Sequence, residues 1–291
     1  MSVQSLMFRI SAGRNDRKRD RAIPLPQGVT QIRGLSYGRH GKYSRFDIYR
    51  PENTKDDRLP TIVSIHGGGY VYGDKKIYRR YCMDLARRGF CVINFNYRLA
   101  PRWRFPAPLE DTNALLQWVC DHAEAYRLDP RRLFLVGDSA GAQIAIQYAA
   151  MVTDPNYADL FGLQIPEIRI LGVGLNCGTY NTAALADGER TGIALDYLGR
   201  RIRSHDPRLH VMDHITDRFP PAHITTACHD FLRKDARPMH QFLTAKGIRA
   251  QLTCYGTEED ASVGHVFHVD LRLPEATRCN DEQCDFFRTC L

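Results

Sequence analysis

The sequence predicts an α/β fold, with a mostly parallel central sheet, helices on both faces and a small helical cap. Three observations carry that prediction. Short β-branched or apolar runs alternate with segments of helical apolar periodicity, which is the rhythm of a parallel sheet covered on both sides. Glycine-rich turns follow two of those runs directly. The alternation then breaks over residues 177–219, which are more polar and rich in arginine, as an insertion lying over the sheet's edge would be.

The elements follow in order. Tyr43 to Tyr49 alternates and reads as an early strand in an antiparallel start to the sheet. Thr61 to Ile65 (TIVSI) has the continuous apolar character of a buried strand. A helix is expected from Lys76 to Arg88, ended by Gly89, and the next strand spans Cys91 to Tyr97. Leu109 to Tyr126 carries helical periodicity through Leu115, Leu116, Trp118 and Val119. Asp129-Pro130 turns the chain into a strand at Arg132 to Val136, and Ala140 to Met151 is the helix after it. Ile168 to Leu175 and Ala222 to Cys228 are further strands, then a helix runs through Phe242 before a strand at Ala250 to Tyr255. At the C-terminus, Ala276, Cys279, Gln283, Phe286, Phe287 and Cys290 share one helical face. The expected organisation is one domain over 1–291, its cap contributed by about 1–40 and about 177–219.

Composition limits the function. The formal charge of +7 is dispersed over many elements, with one dense stretch from Arg14 to Arg21 that Asp16 and Asp20 interrupt. A nucleic-acid face would be a coherent basic stripe with aromatic residues, so no nucleic-acid partner is expected. No apolar run approaches the roughly 18 residues of a membrane span, and no membrane partner is expected. The odd count of nine cysteines, with no secretory signal in MSVQSLMFRISAGRNDRKRD, predicts a cytoplasmic protein with reduced thiols. Cys279, Cys284 and Cys290 lack metal-ligand spacing and read as core residues of a docking helix, so no metal is expected.

The chemistry begins at Gly137-Asp138-Ser139-Ala140-Gly141, a G-x-S-x-G between a predicted strand and a predicted helix. The turn must be tight enough to hold the serine in a strained conformation, and bulk at either glycine would strike neighbouring backbone. The second element is His66-Gly67-Gly68-Gly69, directly after the strand that ends at Ile65. Two bare amides of this run, with that of Ala140, suit the oxyanion of a tetrahedral intermediate. One such donor lowers a barrier by about 3–4 kcal/mol. A phosphate cradle is the alternative, but the Lys and Ser/Thr of a P-loop are missing.

A serine hydroxyl needs a base, and the base an orienting acid, in the chain order serine, acid, histidine for such an elbow. Histidines downstream are His205, His210, His214, His223, His229, His240, His265 and His268. His265 follows a glycine after the last predicted strand and is the expected base, with His268 as its competitor and a satisfied structural histidine by preference. Asp230 directly follows the strand Ala222 to Cys228 and is the expected acid. Asp235 reads as a helix-capping residue, and Glu258, Glu259 and Asp260 as a solvated loop.

The ordered set HGGG, YRLAP (Tyr97 to Pro101), FPAPLED (Phe105 to Asp111) and GDSAG resembles the hormone-sensitive-lipase family of bacterial esterases, from about Arg45 to the C-terminus. The resemblance implies an α/β-hydrolase fold and hydrolysis of short-chain carboxylic esters with no cofactor. It assigns the catalytic triad to Ser139, Asp230 and His265 and the oxyanion hole to Gly68, Gly69 and Ala140. The family's DPLRD matches Asp230-Phe231-Leu232-Arg233, with Lys234 before Asp235, and its HGF matches His265-Val266-Phe267. Ala142 stands where a further glycine often follows the elbow, the proline after Asp230 is missing, and the N-terminal segment is short for the family. The partner expected is a small-molecule ester, and a homodimer is left open. Rival readings are an amidase or a deacetylase of acetylated sugars with the same triad, and a non-catalytic small-molecule receptor.

Overall fold

A computed structural model describes residues 1–54, 56–187 and 191–291. Its centre is a sheet that has eight strands among the described residues, in the order β1-β2-β4-β3-β5-β6-β7-β8. The strands are β1 (Val29–Ser36), β2 (Arg45–Pro51), β3 (Thr61–Ile65), β4 (Cys91–Phe95), β5 (Leu133–Asp138), β6 (Ile170–Asn176), β7 (Ala222–Ala227) and β8 (Ala250–Tyr255). β1 and β2 pair antiparallel, β2 meets β4 antiparallel, and every pairing from β4 through β8 is parallel. The antiparallel start therefore has two strands, β1 having gone unread. Its sequence VTQIRGLS is half polar, with only Val29 buried, as suits an edge strand.

Helices cover both faces. They are α1 (Val3–Ala22), α2 (Arg79–Ala86), α3 (Ala107–Asp121), α4 (Ala140–Thr153), α5 (Pro155–Asp159), α6 (Gly192–Leu198), α7 (Arg233–Ala245) and α8 (Pro274–Arg288). The two-residue period of the strands divides the core. Leu133 and Leu135 face the cluster that holds Leu115, Ile144 and Leu243, whereas Phe134 and Val136 face Tyr81, Met83 and Phe287 on the other side. Phe134 stacks on Phe287 with ring centroids 4.5 Å apart, so α8 docks through the face that carries Cys279 and Phe287, as its periodicity predicted.

The stretch expected to build the cap divides. Residues 3–22 form α1, but Val29–Ser36 belong to the sheet, so a cap contribution as far as residue 40 is too long. Ser2 caps α1, accepting from the Ser5 N–H, and its own N–H and hydroxyl bond Asp196 of α6 at 2.8 and 2.9 Å. The insertion between β6 and β7 lies over the carboxyl ends of the strands. There Tyr197 of α6 stacks on Tyr70 at 3.7 Å, and its carbonyl accepts from the Phe105 N–H at 3.0 Å. Residues 188–190 of that insertion lie outside the described residues.

The sequence motifs hold one another. Arg98 of YRLAP gives its backbone N–H and Nε to Asp111 of FPAPLED at 2.6 and 2.8 Å, and an Nη to Glu110. Burial works against the Asp111 charge, which these hydrogen bonds and the guanidinium oppose. Tyr97 stacks on His66 at 4.1 Å and donates its hydroxyl to the His66 carbonyl at 2.7 Å. The first residue of HGGG is thereby pinned from behind.

Candidate active site

The elbow is a strained turn. Ser139 sits at φ 52°, ψ −118°, between the end of β5 and the start of α4. A non-glycine residue held at positive φ away from the helical well stores on the order of 1–3 kcal/mol. The flanking glycines permit the turn by close approach. A Cβ at Gly137 would overlap the Gly141 carbonyl and come within 2.7 Å of the Ala142 nitrogen. One at Gly141 would overlap the Ile65 carbonyl and lie 2.8 Å from that of His66. Ala142 is fully buried among the core residues, so the methyl in place of a family glycine is accommodated.

The glycine loop lies against this turn. Gly68 has φ +108°, and a Cβ there would overlap the Tyr72 carbonyl, so glycine is required on two counts. Gly67 donates its N–H to Asp138 Oδ1 at 3.2 Å and to the Tyr78 hydroxyl oxygen at 3.1 Å, and Tyr78 in turn donates to Asp138 Oδ2 at 2.7 Å. Asp138 thus ties the elbow to the loop from beneath. Its burial pushes its carboxyl up to about 7, against the lowering effect of Tyr78, of the nearby His265 and of the Gly67 N–H. Among the described residues, no acceptor engages the N–H of Gly68, Gly69 or Ala140. Gly68 and Gly69 are half-buried residues, while Ala140 opens α4 and is buried. These are three unspent donors, two in the loop after a strand and one at a helix N-terminus, where negative charge is favoured.

Asp230 and His265 meet from separate loops. His265 Nδ1 donates to Asp230 Oδ1 at 2.7 Å. The backbone bridge between His229 and Gly264 brings the two loops alongside. Asp230 Oδ1 also accepts from the Leu232 N–H at 2.9 Å, and Oδ2 from the Thr226 hydroxyl at 2.9 Å. Burial opposes the Asp230 charge, but these hydrogen bonds and the His265 ring outweigh it and hold the carboxyl below its ordinary value. Phe231, 70% exposed, lies against the His265 ring at 4.1 Å.

Ser139 joins this pair through shared neighbours. Its N–H bonds the Asn176 carbonyl at 3.0 Å, and the next residue, Cys177, places its Sγ within 4.8 Å of both the Asp230 carboxylate and a His265 ring nitrogen. Among the described residues no hydrogen bond links Ser139 Oγ to His265, and such bonds are commonly long before substrate arrives. The Cys177, Asp230 and His265 donor atoms also form the one cluster able to hold a metal among the described residues. Within it, however, His265 Nδ1 is spent on Asp230, and burial with the Asp230 charge keeps the Cys177 thiol protonated. That arrangement suits a hydrogen-bonded acid–base pair better than a cation.

The competitors fall away on geometry. His268 is fully buried, and burial lowers its ring to about 3. Neither of its ring nitrogens has a hydrogen-bond partner among the described residues, so it is structural but not satisfied as expected. Asp235 lies in the first turn of α7, whose N-cap is Leu232, so it caps nothing. Glu258 pairs with the exposed Arg233 at 2.6 Å, away from the histidine. Sequence reasoning missed Asp138, Tyr78, Cys177 and Phe231. Only Asp138 carried a signal, a charge at the end of a buried strand inside the elbow itself.

Residues 62–269 match a family described as alpha/beta hydrolase fold. An acetyl esterase of Salmonella agona is 28% identical over 239 residues, which cover 77% of this chain and 66% of that relative. The carboxylesterase NlhH of Mycobacterium tuberculosis is 29% identical over 223 residues, covering 71% of this chain and 67% of its own. The chain thus spans about two thirds of the length of these relatives. Among solved structures, esterase B from Lactobacillus rhamnosis superposes with a TM-score of 0.85 at 22% identity, over 97% of this chain and 92% of that one. At that identity the likeness speaks for the fold.

Proposed function

The chain belongs to the alpha/beta hydrolase fold family, and from that premise we propose that it is a serine carboxylesterase working through an acyl-enzyme on Ser139. The observation that carries this reading is the 2.7 Å bond between His265 and Asp230, set beside a strained serine and three unspent amides. Ser139 attacks the ester carbonyl while His265 takes its proton through Nε2, Nδ1 being held by Asp230. The oxyanion rests on the N–H groups of Gly68, Gly69 and Ala140. His265 returns the proton to the leaving alcohol, then activates water to release the acid. Asp230 fixes the tautomer and stabilises the imidazolium.

The names of the Salmonella and Mycobacterium relatives support a carboxylic ester with a short acyl group as substrate. α1 and the described part of 177–219 serve as the cap over that site. Among the described residues no helix is long and apolar enough to cross a membrane. A cytoplasmic site of action rests on the reading of the cysteines as reduced thiols.

The test is a chain-length series of acyl esters, run on the wild type and on Ser139→Ala, with matched amides alongside. Fast turnover of short esters that disappears in the variant supports the reading. Retention of near-wild-type hydrolysis by Ser139→Ala overturns it, and faster cleavage of the amides reassigns the substrate class.

A further inference from the structure

Helix α1 has its polarity reversed. Its apolar residues Val3, Leu6, Met7 and Ile10 point outward and are 73%, 45%, 65% and 47% exposed. Apart from Phe8, which packs on Tyr72, its inner face is small or charged: Ser5 and Gly13 are buried, Asp16 accepts from the Tyr72 hydroxyl at 2.7 Å and pairs with Arg19 at 2.9 Å, and Asp20 pairs with Arg19 and Arg80. Both acids that interrupt the basic stretch in sequence are therefore turned into the protein. At about 100° per residue, the outward stripe continues from those four apolar residues into Arg14, Arg17, Lys18 and Arg21, all exposed. No ion pair engages any of the four cations among the described residues, and together they frame a shallow depression of about 470 Å³. The result is one helix face, about 30 Å long, that is apolar at one end, cationic at the other, and free of acidic side chains.

We propose that this face of α1 docks on a bilayer surface that contains anionic phospholipid. The exposed aliphatic residues of its first half can enter the acyl boundary while the cations of its second half meet phosphate headgroups, so apolar area and electrostatic attraction add along the helix rather than across it. Charge selects this occupant over a second copy of the chain. A two-fold pairing over the whole face would set cation against cation if parallel, and the cationic end of one copy against the apolar end of the other if antiparallel, on a protein whose formal charge is already +7. Peripheral docking needs no spanning helix, and it departs from the expectation of no membrane partner. The inner side of α1 borders the glycine loop, since Phe8 lies 3.7 Å from where a Gly69 Cβ would stand, so docking would set the loop about one helix diameter from the lipid surface.

The proposal stands apart from the esterase reading and is tested on full-length Ser139→Ala, which spares the lipid. Flotation with phosphatidylglycerol-containing vesicles is compared with flotation on pure phosphatidylcholine vesicles. The expected result is binding to the anionic vesicles alone, weakened by salt. Leu6→Gln/Met7→Gln/Ile10→Gln and, separately, Arg14→Gln/Arg17→Gln/Lys18→Gln are each expected to lower partitioning about tenfold or more. Both triple variants keep their far-UV circular dichroism, because all six side chains point outward. Absence of flotation with anionic vesicles, or unchanged flotation of both triple variants, overturns the proposal. So does a lipid-free, concentration-dependent dimer that the Leu6→Gln/Met7→Gln/Ile10→Gln variant abolishes, because a second copy then occupies the face.

Discussion

Asp138 Oδ2 accepts a hydrogen bond from the Tyr78 hydroxyl at 2.7 Å, and between them they hold the N–H of Gly67. Neither side chain reaches solvent, and neither is assigned a chemical step. Their role is to fix the glycine loop beside the serine turn. Asp138→Asn keeps one carbonyl oxygen for Tyr78 but gives Gly67 an amide nitrogen in place of an acceptor. We expect kcat to fall roughly 10- to 100-fold, as small misplacements in active sites do, with KM little changed. Steady-state kinetics on a short acyl ester measures this.

The same carboxyl sets a pH dependence of stability. Burial raises Asp138 to about 7 from an ordinary 3.8, so the folded chain holds this proton more tightly than the unfolded one. Its stabilising contribution is complete below the unfolded value and is lost as pH rises through the folded value. Urea unfolding from pH 4 to 7 should show wild type losing stability relative to Asp138→Asn, at up to about 1.4 kcal/mol per pH unit.

Asp230 behaves in the opposite sense. Its folded value lies below 3.8, so its contribution is present above the unfolded value and is lost as pH falls through the folded one. Removing its charge should leave the fold intact at neutral pH and cost catalysis heavily. Asp230→Asn is expected to lower kcat by roughly 10⁴ by disturbing the His265 tautomer, and an unchanged kcat would remove Asp230 from the triad.

Gly141→Ala tests the tightness of the elbow. The added methyl would strike the carbonyls of Ile65 and His66, which are backbone and cannot swing away. More than about 4 kcal/mol of destabilisation is expected, against roughly 1–2 for Gly162→Ala, where φ is +64° but nothing lies within reach. Denaturant midpoints of the two variants decide it.

Arg98→Met leaves Asp111, whose side chain is 4% exposed, without its cation. Stability should drop by about 3–5 kcal/mol, because stripping one partner strands a buried charge. Arg98→Met/Asp111→Leu should recover part of the loss.

The parallel strands were legible because burial on both faces writes itself as uninterrupted apolar runs. TIVSI matched Thr61–Ile65 to the residue, whereas β8, a half-exposed edge strand, was legible at Ala250–Tyr255 from its place in the alternation of strands and helices. The Asp230–His265 pair could be named in advance because chain order constrains it, and glycine spacing singled out the proposed serine turn and its amides. β1 was hidden by its half-polar edge pattern, and α1 by turning its apolar residues outward, which defeats any reading that sends apolar residues to a core. Cys177 lay beyond reach for another reason. It lies next to Asp230 and His265 only through strand order, which joins the ends of β6 and β7 in space and leaves no trace in local sequence.

Gly69 has a neighbour on either side: a methyl there would lie 3.0 Å from Ile193 of α6 and 3.7 Å from Phe8 of α1. One of the three amides proposed to hold the oxyanion therefore shares a wall with the two helices proposed as the cap. On the proposed reading, a change of bulk at either wall reaches both the room for substrate and the position of the amide. Selection for bulkier esters at Ile193 or Phe8 should move both at once.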